Sequence, residues 1–225
     1  VSRQLTFDLP PREDLRRETF LVTPRTALAL SAVDGWRDWP GGKMLLTGPR
    51  GSGKSHLAAI WAEDCGALRI DARDLAAADL PFLAQGGAVA VEDAAAIGGS
   101  RALEEALFHL HNLLLPQGRL MITAATPPRD WGLVLPDLLS RMQAAAVTRL
   151  EAPDDALLSG VLVKLFADRQ IQPPTALIPW LLARMPRSVG AAREIVARID
   201  ALALARGAAP GLRIAAEVLE ELPPE

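Results

Sequence analysis

An α/β fold with a parallel five-stranded sheet, followed by a small all-helical unit, is what this sequence predicts, and three observations predict it. Short apolar runs recur at residues 44–47, 67–70, 88–91, 120–123 and 146–150. Amphipathic stretches lie between them, for example Leu103–Leu115, and strands alternating with helices make a parallel sheet. After Leu150 only helical patterning remains, apart from an extended signal around Leu212–Ile214.

Taken in order, residues 1–19 are polar, charged and punctuated by Pro10-Pro11, and they read as a flexible arm. Its apolar alternation is Leu5, Phe7 and Leu9. Thr23-Pro24 opens a helical pattern through Leu28, Leu30 and Val33 to Trp36, and Pro40-Gly41-Gly42 ends it as turn chemistry. The strand Met44-Leu45-Leu46-Thr47 then runs into a glycine-rich loop and a further helix. Pro153-Asp154-Asp155 caps the first of four predicted helices, at residues 154–169, 174–184, 188–206 and 215–222. The organisation expected is an arm at 1–19, an α/β core at 20–152 and a helical unit at 153–225.

Composition narrows the function classes. The chain has 225 residues, 24 Lys and Arg against 27 Asp and Glu, and a net charge of −3. That balance does not suit a protein whose main business is coating phosphate backbones, an affinity that comes from clustered Lys and Arg. The single cysteine, Cys65, allows no internal disulfide, and no apolar run approaches the roughly 20 residues of a membrane helix. A cytoplasmic protein without membrane partners is expected. His56, His109 and His111 have no Cys or paired carboxylate to complete a metal site, and the five tryptophans are too scattered for a base-stacking platform.

The sharpest chemical signal is Gly48-Pro49-Arg50-Gly51-Ser52-Gly53-Lys54-Ser55, a full phosphate-loop pattern between a strand and a helix. Glycines let backbone N–H groups turn onto phosphates, Lys54 supplies a charge to the β and γ groups, and the Ser55 hydroxyl ligates Mg²⁺. The following residue, His56, enters the same helix. A nucleotide is the implied ligand. The strand 88–91 ends in Glu92-Asp93, two acids of which one suits the metal, Glu92 being the one expected beside Ser55, and the other an attacking water, the alternative being acids that merely end a strand in solvent.

Together with Met121-Ile122-Thr123, Pro127-Pro128 and Leu135-Pro136-Asp137-Leu138-Leu139-Ser140-Arg141, these segments resemble the AAA+ ATPases, in the branch that contains the replication initiator DnaA and its regulatory inactivators of the Hda type. The resemblance implies an AAA+ core and helical lid holding ADP or ATP with Mg²⁺. It implies that Phe20-Leu21-Val22 border the adenine, and that Arg141 is a finger presented to nucleotide on a neighbouring chain. For an Hda-type regulator that neighbour is DnaA, whose ATP hydrolysis it stimulates. The alternative for Arg141 is an ion pair with Asp137, four residues away on one helix face. The arm segment Gln4-Leu5-Thr6-Phe7-Asp8-Leu9 resembles the peptide that docks on the DNA polymerase III β sliding clamp, so DNA would be reached only through the clamp, with nucleoid association following from it. The alternative is a tail packed back on the core.

The chain stops soon after the predicted lid, leaving no room for the DNA-reading domain of an initiator, which favours the regulator. A homodimer or higher oligomer is compatible with the family. The family pattern has Asp then Glu where this chain has Glu92-Asp93, and only Thr123 or Thr126 fills the place of the polar sensor. Weak intrinsic hydrolysis is therefore expected, and the competing class is an autonomous ATPase of helicase-loader or transposase-helper type. For the lid arginine that reaches the phosphates, Arg193 and Arg187 both qualify, with Arg193 preferred because it lies inside a helix; an ungapped match puts Gly190 at that position.

Overall fold

A computed structural model describes residues 15–115 and 117–221. Gln4, Leu5, Phe7 and Leu9 of the expected clamp peptide lie outside them. The core holds five strands, β1 (Lys43–Thr47), β2 (Leu68–Asp71), β3 (Ala88–Glu92), β4 (Arg119–Ala124) and β5 (Ala146–Arg149). All pair in parallel in the order β2-β3-β4-β1-β5. Helix α1 (Pro24–Asp34) precedes the sheet, and the crossovers are α2 (Lys54–Cys65), α3 (Leu80–Gln85), α4 (Arg101–Leu114) and α5 (Pro136–Gln143).

Local chemistry explains the element ends. Thr23 and Thr26 form a reciprocal capping box with Pro24 at the first helical position, so α1 starts where its sequence can satisfy its free N–H groups. Gly53 and Gly66, both left-handed, bracket α2. Asp79 caps α3 by accepting from the Phe82 N–H at 3.0 Å.

Alternation along the strands builds two apolar layers. Leu45, Val89, Val91, Leu120 and Ile122 face α4 and α5, while Met44, Leu46, Ala90 and Met121 face α1 and α2. Trp39 and Trp61 stack in the second layer with ring centroids 5.3 Å apart, and Trp131 closes the first, its indole N–H donating to the Thr126 carbonyl at 2.8 Å. The tryptophans are packing residues.

Beyond Leu150 the chain forms α6 (Asp155–Asp168), α7 (Leu177–Leu182), α8 (Val189–Arg206) and α9 (Leu212–Glu220) around a separate core that includes Leu158, Leu162, Phe166, Leu181 and Ile195. The extended signal at 212–214 is corrected here: Leu212–Ile214 is the first turn of α9, which buries Ile214, Ala215 and Val218 on one face. Three residues read alone as extended because the helical period shows only over the whole nine-residue element.

The end of the expected arm also differs from its prediction. Arg17–Thr19 forms a 3₁₀ turn docked on both units. Arg17 pairs with Asp34, Lys164 of α6 donates to the Glu18 carbonyl at 3.3 Å, and Leu21 packs against the lid core. These contacts are tertiary, so local polarity could not announce them. Among the described residues no helix is long and apolar enough to cross a membrane.

The loop between β3 and α4 is tightly packed at one glycine only. A Cβ on Gly98 would lie 1.6 Å from the Trp131 carbonyl oxygen, whereas one on Gly99 meets nothing within 4 Å but faces a φ of +77°. Gly98→Ala should therefore lower stability by about 1–3 kcal/mol or more as the loop is forced apart. Gly99→Ala should cost only about 1–2 kcal/mol of left-handed strain. Urea denaturation of the two variants checks the order; equal midpoints would contradict it.

Candidate nucleotide site

The phosphate loop springs from the carboxy-terminal end of β1, the strand held by β4 on one side and β5 on the other. Its glycines answer close approaches. Gly48, at φ +155°, would place a Cβ 2.3 Å from the Leu150 carbonyl oxygen. Gly51, at φ +73°, would place one 2.0 Å from the Ser188 Oγ of the lid. Ser188 caps α8, and the Val189 N–H donates to the Gly51 carbonyl at 3.3 Å, so the amino-terminal end of α8 lies directly on the loop. Pro49 and Lys54 are joined by a bond of 2.8 Å from the ammonium to the Pro49 carbonyl, and the same ammonium donates to Gly48 at 2.7 Å. Arg50 is exposed, and the Ser52 hydroxyl is buried with no hydrogen-bond partner among the described residues. Ser55 is exposed at the start of α2.

The two acids part company. Glu92 is held by Arg69 of β2, at 2.8 Å from Nε and 2.6 Å from Nη2, and lies on the β2 side of the sheet end. Asp93 sits in a left-handed conformation, φ 56°, with its N–H donating to the Thr123 hydroxyl at 3.1 Å and its carboxylate paired with Arg73. Asp93 is also the acid that acts on Lys54: burial draws the lysine pKa down and the charge of Asp93 opposes the shift. Both carboxylates are ion-paired, Glu92 with Arg69 and Asp93 with Arg73, and it is Asp93 whose charge reaches Lys54, so the oxygen donors on the phosphate side that fit Mg²⁺ are Ser55 and Asp93. Thr123, one of the two residues expected as polar sensor, touches this acid; Thr126 instead accepts from Trp131 through its carbonyl.

The entering segment and the lid border the loop. Phe20 stands edge-on to His56 with centroids 5.1 Å apart and lies 3.6 Å from where a Cβ on Gly53 would be. Leu21 touches the α6 helix at Gly160, and Val22 is exposed. His56 is buried against the Arg16 carbonyl at 2.9 Å and, on its other nitrogen, Arg193 at 3.4 Å. Arg193 thus reaches the helix that carries Lys54, whereas Arg187 is taken by Asp155 at 2.7 Å. Gly190 lies in the first turn of α8 beside Ser188. Cys65 is a half-buried thiol whose pKa burial raises, which suits packing rather than reaction.

Arg141 lies elsewhere. It ends α5 near the amino-terminal end of β1, its carbonyl accepting from the Lys43 ammonium at 2.7 Å. Its guanidinium stands 4.8 Å over the Phe108 ring and 3.4 Å from His111 Nδ1, and no ion pair with Asp137 forms among the described residues. Lys43, His111 and Arg141 make a basic cluster in which His111 meets a cation on each ring nitrogen. A neutral ring has one acceptor, and the nearer contact, Lys43 to Nε2 at 3.2 Å, takes it. Sequence reasoning overlooked Lys43, Glu104 and Ser188. A serine just before a helix was a visible cap signal for Ser188, and an acid on the apolar stripe of α4 was one for Glu104.

A parallel sheet with a phosphate loop at the end of β1, an acid at the end of β3 with β4 between the two strands, and a helical unit on the loop make a fold of the AAA+ class. No family model matches the chain. Within that class its likeness is to DnaA, in sequence as well as in fold. It is 33% identical over 119 residues to the chromosomal replication initiator protein DnaA of Sphingopyxis alaskensis, a match covering 52% of this chain and 25% of that one. The match thus spans a quarter of the relative's length. Domain III of the Thermotoga maritima replication initiation protein DnaA superposes with a TM-score of 0.78 at 19% identity, over 95% of this chain and 98% of that one. AMPPCP-bound DnaA from Aquifex aeolicus gives 0.68 at 19% identity, over 93% and 68%.

The basic cluster predicts a pH dependence. Burial first, then the charges of Lys43 and Arg141, hold the His111 pKa down at about 4 against 6.5, with the Asn112 side chain acting the other way. Above pH 6.5 the ring is neutral folded or unfolded. As pH falls toward 4 the unfolded chain takes up the proton first, so stability drops by about 3 kcal/mol over that window. His111→Gln should flatten the fall between pH 7 and pH 5 by about 2 kcal/mol, read from urea midpoints; parallel curves would contradict the assignment.

Proposed function

We propose that the chain binds ADP or ATP with Mg²⁺ between core and lid, and that it presents Arg141 to ATP on a neighbouring DnaA chain to stimulate its hydrolysis. The observation that carries the reading is the place of Arg141. Its carbonyl is bound to Lys43 at one end of β1, while the phosphate loop begins at Gly48 after the other end. Five extended residues put about 13 Å between those ends, so the guanidinium belongs to a site outside its own phosphate loop. A planar charge with no carboxylate partner among the described residues suits a phosphoryl group in its transition state.

Nucleotide binding draws support from the loop geometry, from the buried Ser52 hydroxyl that a phosphate oxygen or its water would satisfy, and from the AMPPCP bound by a protein of the same fold. In this site Lys54 and the loop amides hold phosphates, Ser55 and Asp93 hold the metal, and Arg193 approaches from the lid. The metal, when bound, neutralises charge on the phosphates. Phe20, Leu21 and Val22 border the base. Glu92, tied to Arg69, serves to fix the strand end, which fits weak turnover by the chain itself. We further propose that Gln4–Leu9 tethers the chain to the β sliding clamp, giving a negative regulator of replication initiation that reaches DNA only through that ring.

Lys54→Ala should weaken binding of a fluorescent ATP analogue at least tenfold. Arg141→Ala should leave that binding unchanged yet lower stimulation of DnaA-bound ATP hydrolysis by about 10³-fold or more. Stimulation equal to the parent would overturn the finger, and fast hydrolysis by the purified chain alone would point to an autonomous ATPase of loader or helper type. Gln4→Ala should abolish retention on an immobilised β clamp; equal retention of parent and variant would remove the arm from the mechanism.

A further inference from the structure

We propose that Glu104 and Lys43 are positioning residues that clamp α5 from its two ends and thereby set where Arg141 is presented. The inference rests on the reading of Arg141 as a finger acting on a neighbour, but its geometry stands apart from that reading.

The amino-terminal end of α5 lacks a cap of its own. Leu135 occupies the cap position with no side-chain acceptor, and Pro136 follows. The missing acceptor comes from α4. Glu104, with no exposed surface, accepts from the N–H of Leu135 at 2.8 Å and of Val134 at 2.9 Å and 3.1 Å. The same carboxylate accepts from the Gly99 N–H at 3.1 Å, in the loop that follows Asp93. One buried group therefore joins the segment after the metal-side acid to the segment that launches α5. Such a site tolerates no simple loss, because three backbone donors would be left buried without a partner.

At the other end Lys43, itself 7% exposed, donates to the Arg141 carbonyl at 2.7 Å. An acid at the start of a helix and a cation at its end both complement the helix dipole. Between them, residues 104, 108 and 111 repeat at intervals of four and three, so Glu104, Phe108 and His111 share one face of α4. That face holds the entry of α5 through Glu104 and its last turn through Phe108 and His111. A helix of eight residues is about 12 Å long and is gripped at both termini, so its freedom to slide or tilt is small. The position of the guanidinium follows from that grip, which matters because a misplacement of about 1 Å in a reacting assembly can cost 10²-fold.

The test pairs amide hydrogen exchange over residues 134–143 with stimulation of DnaA-bound ATP hydrolysis, using the full chain with Glu104→Gln, Lys43→Met and Arg141→Ala. Gln places an amide donor among donors, while Lys43→Met removes the contact at the end of the helix, together with the one to His111, and keeps the protein testable if the glutamate variant fails to fold. Both should speed exchange in α5 at least tenfold, with exchange in β1 and β4 and the affinity for a fluorescent ATP analogue unchanged. Both should lower maximal stimulation tenfold or more. If Arg141→Ala stimulates as the parent does, the finger reading falls, while exchange still decides whether the clamp exists. Parental exchange in α5 for the folded variants overturns the proposal; faster exchange with parental stimulation shows that the clamp does not set the finger, and overturns that part.

Discussion

The two ends of β1 govern what this molecule can do. The strand is buried along its whole length and hydrogen-bonded on both sides, so neither end can move without disturbing β4 or β5. Its carboxy-terminal end feeds the phosphate loop, and its amino-terminal end carries Lys43 under the last turn of α5. The phosphate loop and Arg141 are thus kept a strand's length apart by the most constrained element in the sheet.

The lid depends on the same strand at one remove. Leu150 donates to the Thr47 carbonyl at 2.7 Å and stands against Gly48, so the chain leaves the core beside the phosphate loop. Arg25 of α1 pairs with Glu151 and, at 3.1 Å, with Asp154, which fixes the exit before α6 begins. From there α8 returns its capped end to Gly51, and Arg193 comes down on His56. Surface ion pairs of this kind contribute little stability individually, yet they set direction where the polypeptide has few other restraints. The docked turn at Arg17–Thr19 adds a third strut between the units.

Charge is distributed by the same logic. At the loop end, acids and bases are matched: Glu92 with Arg69, Asp93 with Arg73 and with the field on Lys54. At the opposite end, Lys43, His111 and Arg141 converge with no carboxylate among the described residues, and the cost appears as a histidine kept neutral by burial and by its neighbours. An unmatched cluster is expensive in a folded protein unless a partner's negative charge completes it.

Much of the core was legible because its signals are local. Strand alternation, the phosphate loop and the turn glycines depend on neighbours in sequence, and the sheet and the loop follow from them. The docking of Arg16–Thr19, the helical start of α9 and the divergence of Glu92 from Asp93 were not legible. Adjacent residues at a strand end point to opposite sides, and which side faces Lys54 is decided by the neighbouring strand, here by Arg69 on β2. The sequence by itself determined the chemistry available: a phosphate loop, two acids, an arginine after Pro136. Only the tertiary structure decided that Asp93 is the acid whose charge reaches Lys54, that Arg193 meets the lysine's helix, and that Glu104 and Lys43 bond the two ends of α5. The reason is physical: those assignments rest on contacts between residues 30 to 137 positions apart, which no local pattern encodes.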